Sequence, residues 1–253
     1  MWRAVEVDRL VSWGLPKGRG LDLGCGDGLL TRIVLEEVGP RTLVGVDPDP
    51  AEAAQAQELG IYATVHVAGG DAVPERPASF DWVLSNSVLE HILDVDQVIA
   101  EVARLLKPGG RFIFTVPGVG FHESLRGPLL PHSSRSVYLR DLDRRLAHHR
   151  YWTPDDWRRA LTTHGLQVAN AVAYMGPAEV RRWESMSRFT AGVLYRLSAR
   201  RRQPIEIQRG LGLRKPGRRM PAALARPLAS VLAAGLNGSQ PGTACLLVEA
   251  IRD

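Results

Sequence analysis

Apolar and polar positions in the first half of the chain repeat with the period of strands and helices in turn. Short apolar runs of strand length lie at 20–23, 42–47, 62–67, 80–85 and 111–116. Apolar residues at helical spacing fill 2–13, 29–38, 48–59 and 95–106, and these segments end near glycine or proline. Strands that alternate with helices predict a parallel sheet with helical crossovers.

The pattern loosens in the second half. Residues 118–150 are rich in glycine, proline, serine and histidine, and we expect loops there. Thr153 and Pro154 then begin a helix, because a hydroxyl caps the free N–H groups and proline suits the first helical position. Gly165 ends that helix. Two further strands are predicted at 166–174 and 243–251.

A long insert, 176–242, separates the last two predicted strands. It contains an amphipathic segment at 180–201, a Gly/Pro/Arg-rich linker at 209–221 and a small-residue segment at 222–235. We expect these to form a helical cap on one domain, because such long insertions are often functional.

Composition excludes several classes of protein. Cys25 and Cys245 are the only cysteines, which is too few for a disulfide framework or a zinc cluster of cysteines. No apolar run approaches the ~18–20 residues of a membrane span, and the start lacks the pattern of a signal peptide. The sequence therefore predicts a cytoplasmic protein.

Charge is divided unevenly along the chain. Residues 1–120 hold 10 basic and 17 acidic side chains, whereas residues 121–226 hold 21 basic and 8 acidic ones. The basic half is either solvated surface or a site of attraction for a polyanion, an acidic substrate or a membrane surface.

The most informative stretch is the pattern D-x-G-x-G-x-G that begins at Asp22. Leu29 stands where a dinucleotide site would have its third glycine. An acid before the first glycine repels a pyrophosphate and suits an ammonium group, such as the amino-acid end of S-adenosylmethionine. Asp47 ends the second strand, where it can accept both ribose hydroxyls, and Asp71 can accept from an adenine amine.

Further motifs follow in a fixed order: Gly70-Asp71-Ala72, Phe80-Asp81-Trp82-Val83, Leu89-Glu90-His91-Ile92 and Arg104-Leu105-Leu106-Lys107-Pro108-Gly109-Gly110. With these motifs, residues 19–117 resemble the class I S-adenosylmethionine-dependent methyltransferases, in the branch that contains ubiquinone-biosynthesis O-methyltransferases. The chain is more distantly similar to sugar O-methyltransferases of polysaccharide synthesis. The resemblance implies an α/β, Rossmann-like seven-stranded sheet with its last strand antiparallel, helices on both faces and S-adenosyl-L-methionine as cofactor.

The resemblance also implies a domain plan and a cofactor site. One domain spans 1–253, with a cofactor-binding half at 19–117, acceptor-side elements at 118–175, the cap at 176–242 and a last strand at 243–251. The implied cofactor-binding residues are Asp22, Gly24, Gly26, Asp47, Pro48, Asp71, Ala72, Asn86 and Ser87. Gly28 is equally compatible with contact to the cofactor and with helix packing.

An aliphatic hydroxyl that is to be methylated needs a general base or a metal ion. Some relatives carry E-x-x-E-H, which with a later histidine holds Mg²⁺; here Ser87 replaces the first glutamate and leaves Glu90 and His91. We expect His149 to be the base, or to share a metal with Glu90 and His91, and His148 is the second candidate for catalysis. Alternatively, Glu90 and His91 only begin a helix and order a loop.

The sequence thus predicts an enzyme that O-methylates a small or oligomeric acceptor, with a sugar or a polysaccharide precursor as the leading substrate. An RNA methyltransferase is a rival, although no RNA-binding module is recognisable, which argues against nucleic acid as a partner. The other rival is a non-catalytic protein that binds S-adenosylmethionine or a membrane surface. Peripheral membrane contact and a homodimer both stay open.

Overall fold

A computed structural model describes residues 2–128, 134–190, 192–193, 195 and 242–253. Its strands are β1 Arg19–Leu23, β2 Thr42–Asp47, β3 Thr64–Val67, β4 Phe80–Asn86, β5 Leu106–Pro117, β6 Leu166–Tyr174 and β7 Cys245–Arg252. Its α-helices are α1 Trp2–Trp13, α2 Leu29–Val38, α3 Pro50–Glu58, α4 Val95–Leu105, α5 Gly120–Ser124, α6 Arg135–Leu146, α7 Pro154–Thr162 and α8 Pro177–Phe189. A single 3₁₀ turn, Leu89–His91, follows β4.

The seven strands form one sheet in the order β3-β2-β1-β4-β5-β7-β6. The first five strands pair in parallel, and β7 lies antiparallel between β5 and β6. The strand order reverses between β1 and β4, and in open α/β sheets this is where ligands bind, at the carboxyl ends of the strands. The predicted seven-stranded sheet with an antiparallel last strand is confirmed.

Two hydrophobic cores cover the two faces of the sheet. Alternate side chains of β4 divide between them, because successive residues of a strand point to opposite faces: Val83 joins one core, and Trp82 and Leu84 join the other. Helices α4 and α7 pack on the first face, where Trp157 is fully buried. Helices α1, α2 and α8 supply residues to the second face.

Two predicted boundaries shift for identifiable reasons. The third strand begins at Thr64, because Tyr62 turns its buried hydroxyl toward Asp22, with 2.6 Å between the oxygens. Helix α3 begins at Pro50, because the Asp49 carboxylate caps its free N–H groups.

The prediction of loops over 118–150 is wrong for the described residues, because α5 and α6 lie there. Six of the twelve residues of α6 are charged, and Leu142 is the residue of that helix that is buried. Its apolar stripe is therefore too thin to stand out beside the glycines and prolines that flank it.

The expected cap is only partly described. Its first helix is α8, which contacts α5. The rest of the amphipathic segment beyond residue 195, the linker at 209–221 and the small-residue segment at 222–235 lie outside the described residues.

Many arginines of the basic half bind within the protein. Arg135, Arg150 and Arg188 each donate to backbone carbonyl groups, and Arg188 also pairs with the buried Glu184. These contacts favour a structural role for this part of the positive charge over attraction to a polyanion. Separately, no helix in the described part of the chain is long and apolar enough to cross a membrane.

The contact between β1 and β4 generates a stability prediction. A Cβ atom at Gly20 would lie 2.2 Å from the fully buried Trp82 ring, closer than any real contact. Gly20→Ala should therefore lower the free energy of unfolding by at least ~2 kcal/mol in urea denaturation. Gly176→Ala is the control, because a Cβ there meets nothing nearer than 4.0 Å. Equal stability of the two variants would refute this account of the contact between Gly20 and Trp82.

Candidate active site

The glycine loop after β1 is tied to the end of β2. The N–H of Gly24 donates to the Val46 carbonyl at 2.8 Å, and the N–H of Gly26 donates to the Asp47 carboxylate at 2.9 Å. The other oxygen of that carboxylate accepts from the N–H of Asp49 at 2.9 Å. Asp47 therefore holds the loop while its remaining lone pairs stay available to a ligand, since a carboxylate has about four acceptor positions.

Two glycines of the loop are required by close packing. Gly24 has φ +76°, and a Cβ there would lie 2.6 Å from the side chain of Val88. Val88 is the residue at which the turn after β4 begins. Gly28 has φ +71° and a Cβ would meet Tyr62 at 2.9 Å. The structure thus favours helix packing as the reason for Gly28.

Asp22 lies beneath the loop rather than on its surface. The residue is 2% exposed, and one carboxylate oxygen accepts from the hydroxyls of Thr31 and Tyr62, both at 2.6 Å. Burial raises the pKa of Asp22 to about 6 despite these two hydrogen bonds. Its contact with a cofactor stays a prediction.

The other residues expected near the nucleoside lie at the same edge of the sheet. Pro48 directly follows β2 and is exposed, as are Asp71 and Ala72 in the loop after β3. All three therefore stand free to contact a ligand.

The side chains of Asn86 and Ser87 form hydrogen bonds with other side chains of the protein. The Asn86 side chain accepts from the Thr115 hydroxyl at 2.7 Å, and the Ser87 hydroxyl donates to Glu6 of α1. Ser87 has φ +51°, a left-handed conformation that costs energy for a residue with a Cβ. The end of β4 is therefore held in a strained shape by its contact with α1.

Glu90 is a buried acid, and the described residues leave one of its two carboxylate oxygens without a hydrogen bond. It is 1% exposed, its Oε2 atom has no partner among the described residues, and its Oε1 atom lies 3.9 Å from Nε2 of His91. Burial raises the pKa of Glu90 to about 8. Because an unpaired buried carboxylate is costly, the position invites a cation.

Two imidazole rings face this carboxylate. His91 Nδ1 lies 3.0 Å from the Ala147 carbonyl, which only accepts, so Nδ1 carries the proton and Nε2 is free. His148 Nδ1 lies 3.0 Å from the Tyr151 hydroxyl, whose own proton goes to Asp143 at 2.6 Å. Nδ1 of His148 is therefore also the donor, and its Nε2 is free.

One ligand atom from each of Glu90, His91 and His148 lies within 4.8 Å of the other two. Burial lowers the pKa of both histidines, for His148 to about 3, so both rings are neutral. Neutral imidazoles whose outer N–H groups are fixed by hydrogen bonds are the usual metal-binding form of histidine.

The structure brings His148, and not His149, into this cluster. His149 is exposed, and its backbone N–H donates to the Glu90 carbonyl at 2.8 Å. His148 and His149 are adjacent in sequence, but only the side chain of His148 enters the cluster. The spacing of the residues along the chain does not distinguish the two.

A cavity of about 280 Å³ opens on the cluster. Its described lining consists of Trp2, Arg3, Ser87, Glu90, His91, Leu146, His148 and Trp183. The rings of Trp2 and Trp183 meet edge to face, with 5.3 Å between centroids. Val88, whose side chain packs against Gly24 of the glycine loop, lies in the sequence between two lining residues, Ser87 and Glu90.

Sequence reasoning missed the contribution of α1. Trp2, Glu6 and Leu10 lie four residues apart and share one face of that helix, and Glu6 is fully buried. An acid on an otherwise apolar stripe was the available signal, because such a position predicts a buried polar contact.

The buried Asp22 generates a prediction about pH. The pKa of Asp22 is raised in the folded protein. The protonated carboxyl group therefore stabilises the fold fully when the pH is below 3.8, its ordinary pKa, and this stabilisation is lost as the pH rises through about 6. Two pKa units correspond to about 3 kcal/mol. Asp22→Asn should therefore gain about 3 kcal/mol of unfolding free energy relative to wild type between pH 4 and pH 7.5, measured in urea.

Asp155→Asn, at an exposed position of α7, is the control and should show a much smaller change. A difference between wild type and Asp22→Asn that stays constant with pH would contradict the assigned burial.

Comparison with known proteins agrees with this fold. A family model described as a methyltransferase domain matches residues 4–171. The chain is 38% identical over 116 residues to the 2-phytyl-1,4-naphtoquinone methyltransferase of Thermosynechococcus vestitus, which covers 44% of this chain and 50% of that protein. It is 30% identical over 173 residues to a ubiquinone biosynthesis O-methyltransferase of Chelativorans sp., covering 65% of each.

Solved structures show the same fold. Geranyl diphosphate methyltransferase in complex with GPP and sinefungin aligns with a TM-score of 0.60 at 16% identity, over 99% of this chain and 79% of that one. Phosphoethanolamine N-methyltransferase 2 of Haemonchus contortus, in complex with S-adenosyl-L-methionine, aligns with a TM-score of 0.58 at 22% identity, over 98% and 52%. Together with the family match over more than half of its length, the seven-stranded sheet and the glycine loop show that this chain belongs to the class I S-adenosylmethionine-dependent methyltransferases.

Proposed function

We propose that this protein transfers a methyl group from S-adenosylmethionine to a hydroxyl group of a small aromatic acceptor. One observation carries the proposal: the buried carboxylate of Glu90, whose Oε2 atom has no partner among the described residues, and one nitrogen of each of His91 and His148 converge at a single cavity. The chain spans 50% of the naphtoquinone enzyme that it matches, so activity and substrate are inferred from this site.

The residues at the carboxyl edge of the sheet fit the cofactor. Gly24 and Gly26 let a ligand approach the loop backbone, and the free acceptor positions of Asp47 suit two ribose hydroxyls. Asp71 and Ala72 are exposed where an adenine ring would lie. The sulfonium group of this cofactor supplies the methyl group, and the chain has to place the acceptor oxygen in line with it.

The cluster also fits a divalent cation. Glu90 offers a buried carboxylate whose Oε2 atom has no partner among the described residues, and His91 and His148 offer neutral nitrogen atoms. Mg²⁺ or a similar ion would supply a Lewis acid that lowers the pKa of a bound hydroxyl. The expected third ligand is thereby reassigned from His149 to His148.

The chain's own residues then position the acceptor. Nε2 of His148 has one lone pair, which would either bind the ion or, with no ion bound, accept the proton of the acceptor hydroxyl. Tyr151 keeps the His148 ring in the required tautomer through its own bond to Asp143. The indole rings of Trp2 and Trp183 line the same cavity and give the acceptor apolar surfaces to pack on.

A flat aromatic acceptor suits this lining better than a sugar. The cavity is lined by two indole rings, by Leu146 and by the two neutral imidazoles of the cluster. Aromatic rings stack well on such walls. The relatives described above carry names of quinone-related enzymes, and none is described as a sugar methyltransferase. The sugar expectation therefore has no support. Because Trp183 belongs to α8, we further propose that this helix, the described start of the 176–242 insert, is part of the acceptor site.

The first prediction concerns the cofactor. Asp47→Ala removes the ribose acceptor, its bond to Gly26 of the glycine loop and its bond to Asp49, and charge-assisted bonds contribute ~1.5–3 kcal/mol each. Affinity for S-adenosylmethionine should fall at least ~10-fold in calorimetry. Asp8→Ala, an exposed substitution on α1, should leave it unchanged. Unchanged affinity in a folded Asp47→Ala variant would remove Asp47 from the site.

The second prediction concerns hydroxyl activation. Release of S-adenosylhomocysteine with catechol as acceptor should stop in chelator and return with Mg²⁺. Glu90→Gln should abolish Mn²⁺ binding in calorimetry, and Tyr151→Phe should weaken it ~10–100-fold because the His148 ring loses its anchor. Glu58→Gln, at an exposed position of α3, is the matched control.

If chelator leaves the activity unchanged but His148→Ala lowers it, His148 acts as a general base without a metal ion. Full activity in both Glu90→Gln and His148→Ala would refute the proposed site.

A further inference from the structure

The loop between β3 and β4 carries the exposed residues Asp71 and Ala72 and then turns into the protein. Val73, which directly follows them, is 3% exposed and belongs to the same hydrophobic core as Val98 and Val102 of α4. The loop therefore contains a buried stretch of backbone, and its N–H and C=O groups need hydrogen-bond partners.

Two charged side chains of α4 supply those partners. Oε1 of Glu101 accepts from the N–H of Val73 at 2.8 Å. Arg104 donates to the carbonyl of Val73 at 3.2 Å and to the carbonyl of Glu75 at 3.0 Å. Side chains of one helix thus bind both the donor and the acceptor groups of the loop backbone.

Glu101 and Arg104 also orient each other. Nε and Nη2 of Arg104 donate to the two oxygens of Glu101 at 2.6 and 2.7 Å, which makes the pair bidentate. These hydrogen bonds lower the pKa of Glu101, so the pair is charged in neutral solution. An ion pair three residues apart on a helix contributes little by itself. The contacts of this pair with the loop are therefore its distinctive feature.

The backbone of the loop determines where the Asp71 carboxylate lies. A Cβ atom at Gly69 would be 2.3 Å from Oδ1 of Asp71, so that side chain lies directly over the Gly69 backbone. On one side the loop is held by the N–H of Ala68, which donates to the Asp47 carbonyl at 3.3 Å. On the other side it is held at Val73 by the two side chains of α4.

We infer that Glu101 and Arg104 are positioning residues for recognition of the cofactor: they hold the loop so that the Asp71 carboxylate meets the amine of the adenine ring. Both act through the loop backbone, to which their hydrogen bonds are made. The inference rests on the part of the proposed function that places Asp71 beside the adenine. It does not depend on the acceptor or on a metal ion.

The test compares two ligands that differ at one position of the purine ring. S-adenosylhomocysteine carries an amine there, whereas S-inosylhomocysteine carries a carbonyl oxygen, which a carboxylate repels. In calorimetry, wild type should bind S-adenosylhomocysteine at least ~10-fold more tightly than S-inosylhomocysteine. Asp71→Asn should lose this preference, because an amide both donates and accepts and can face either ligand.

Substitutions of Arg104 test its role at a distance. Arg104→Gln should reduce the preference to ~3-fold or less, while the affinity for S-inosylhomocysteine stays within ~3-fold of wild type. Arg104→Lys should keep an intermediate preference, because an ammonium group pairs with Glu101 but lacks the planar fork that reaches two carbonyl groups. Arg158→Gln is the matched control, because Arg158 pairs with Asp155 three residues away on the exposed face of α7, and it should behave as wild type.

A full preference in Arg104→Gln would overturn the inference. An equal loss of affinity for both ligands would also overturn it, because a purely structural role would weaken both alike. If Arg104→Gln does not fold, Arg104→Lys decides the question, and a wild-type preference in that variant would overturn the inference.

The inference and the proposed function fail separately. A preference that is lost in Asp71→Asn but kept in Arg104→Gln would refute the inference and retain Asp71 beside the adenine. Equal binding of the two ligands by wild type would refute both the adenine contact and the inference.

Discussion

The burial of the Glu90 carboxylate, whose Oε2 atom has no partner among the described residues, is the constraint around which the acceptor side is organised. A lone buried carboxylate is costly unless it is protonated or paired with a cation. The neighbouring side chains described here do not donate to its Oε2 atom: His91 and His148 direct their Nδ1–H groups to other acceptors, and Arg150 donates to the backbone carbonyl groups of Leu89 and Leu93. Three acceptor atoms are thus held together in a low-dielectric site, which is the arrangement that a metal ion stabilises.

The cofactor half of the chain was predictable because its determinants are local. Buried parallel strands are continuous apolar runs, and a strand that enters a glycine loop has few alternatives, so β1, β2 and the position of Asp47 followed from sequence. The role of Gly24 in the loop was also predicted from the sequence. The structure was needed to show its physical reason, which is the close approach of the Val88 side chain.

The acceptor half was less predictable because its determinants are long-range. Whether His148 or His149 enters the cluster depends on the turn after α6, which carries an alanine at φ +57° and has no distinctive sequence. Likewise, Glu6 reaches Ser87 across 81 positions of sequence. In this chain the serine stands where some relatives have a glutamate, and a buried carboxylate from α1 lies against it. Spacing rules within one segment do not detect such a replacement.

The central claim is that Glu90, His91 and His148 hold a metal ion beside the cofactor loop. Anomalous X-ray scattering at the manganese edge, from crystals grown with Mn²⁺ and S-adenosylhomocysteine, tests it most directly. The account predicts one strong peak within bonding distance of the Glu90 carboxylate and of Nε2 of His91 and of His148. A well-ordered site with no peak there, or a peak bound by other residues, would contradict it.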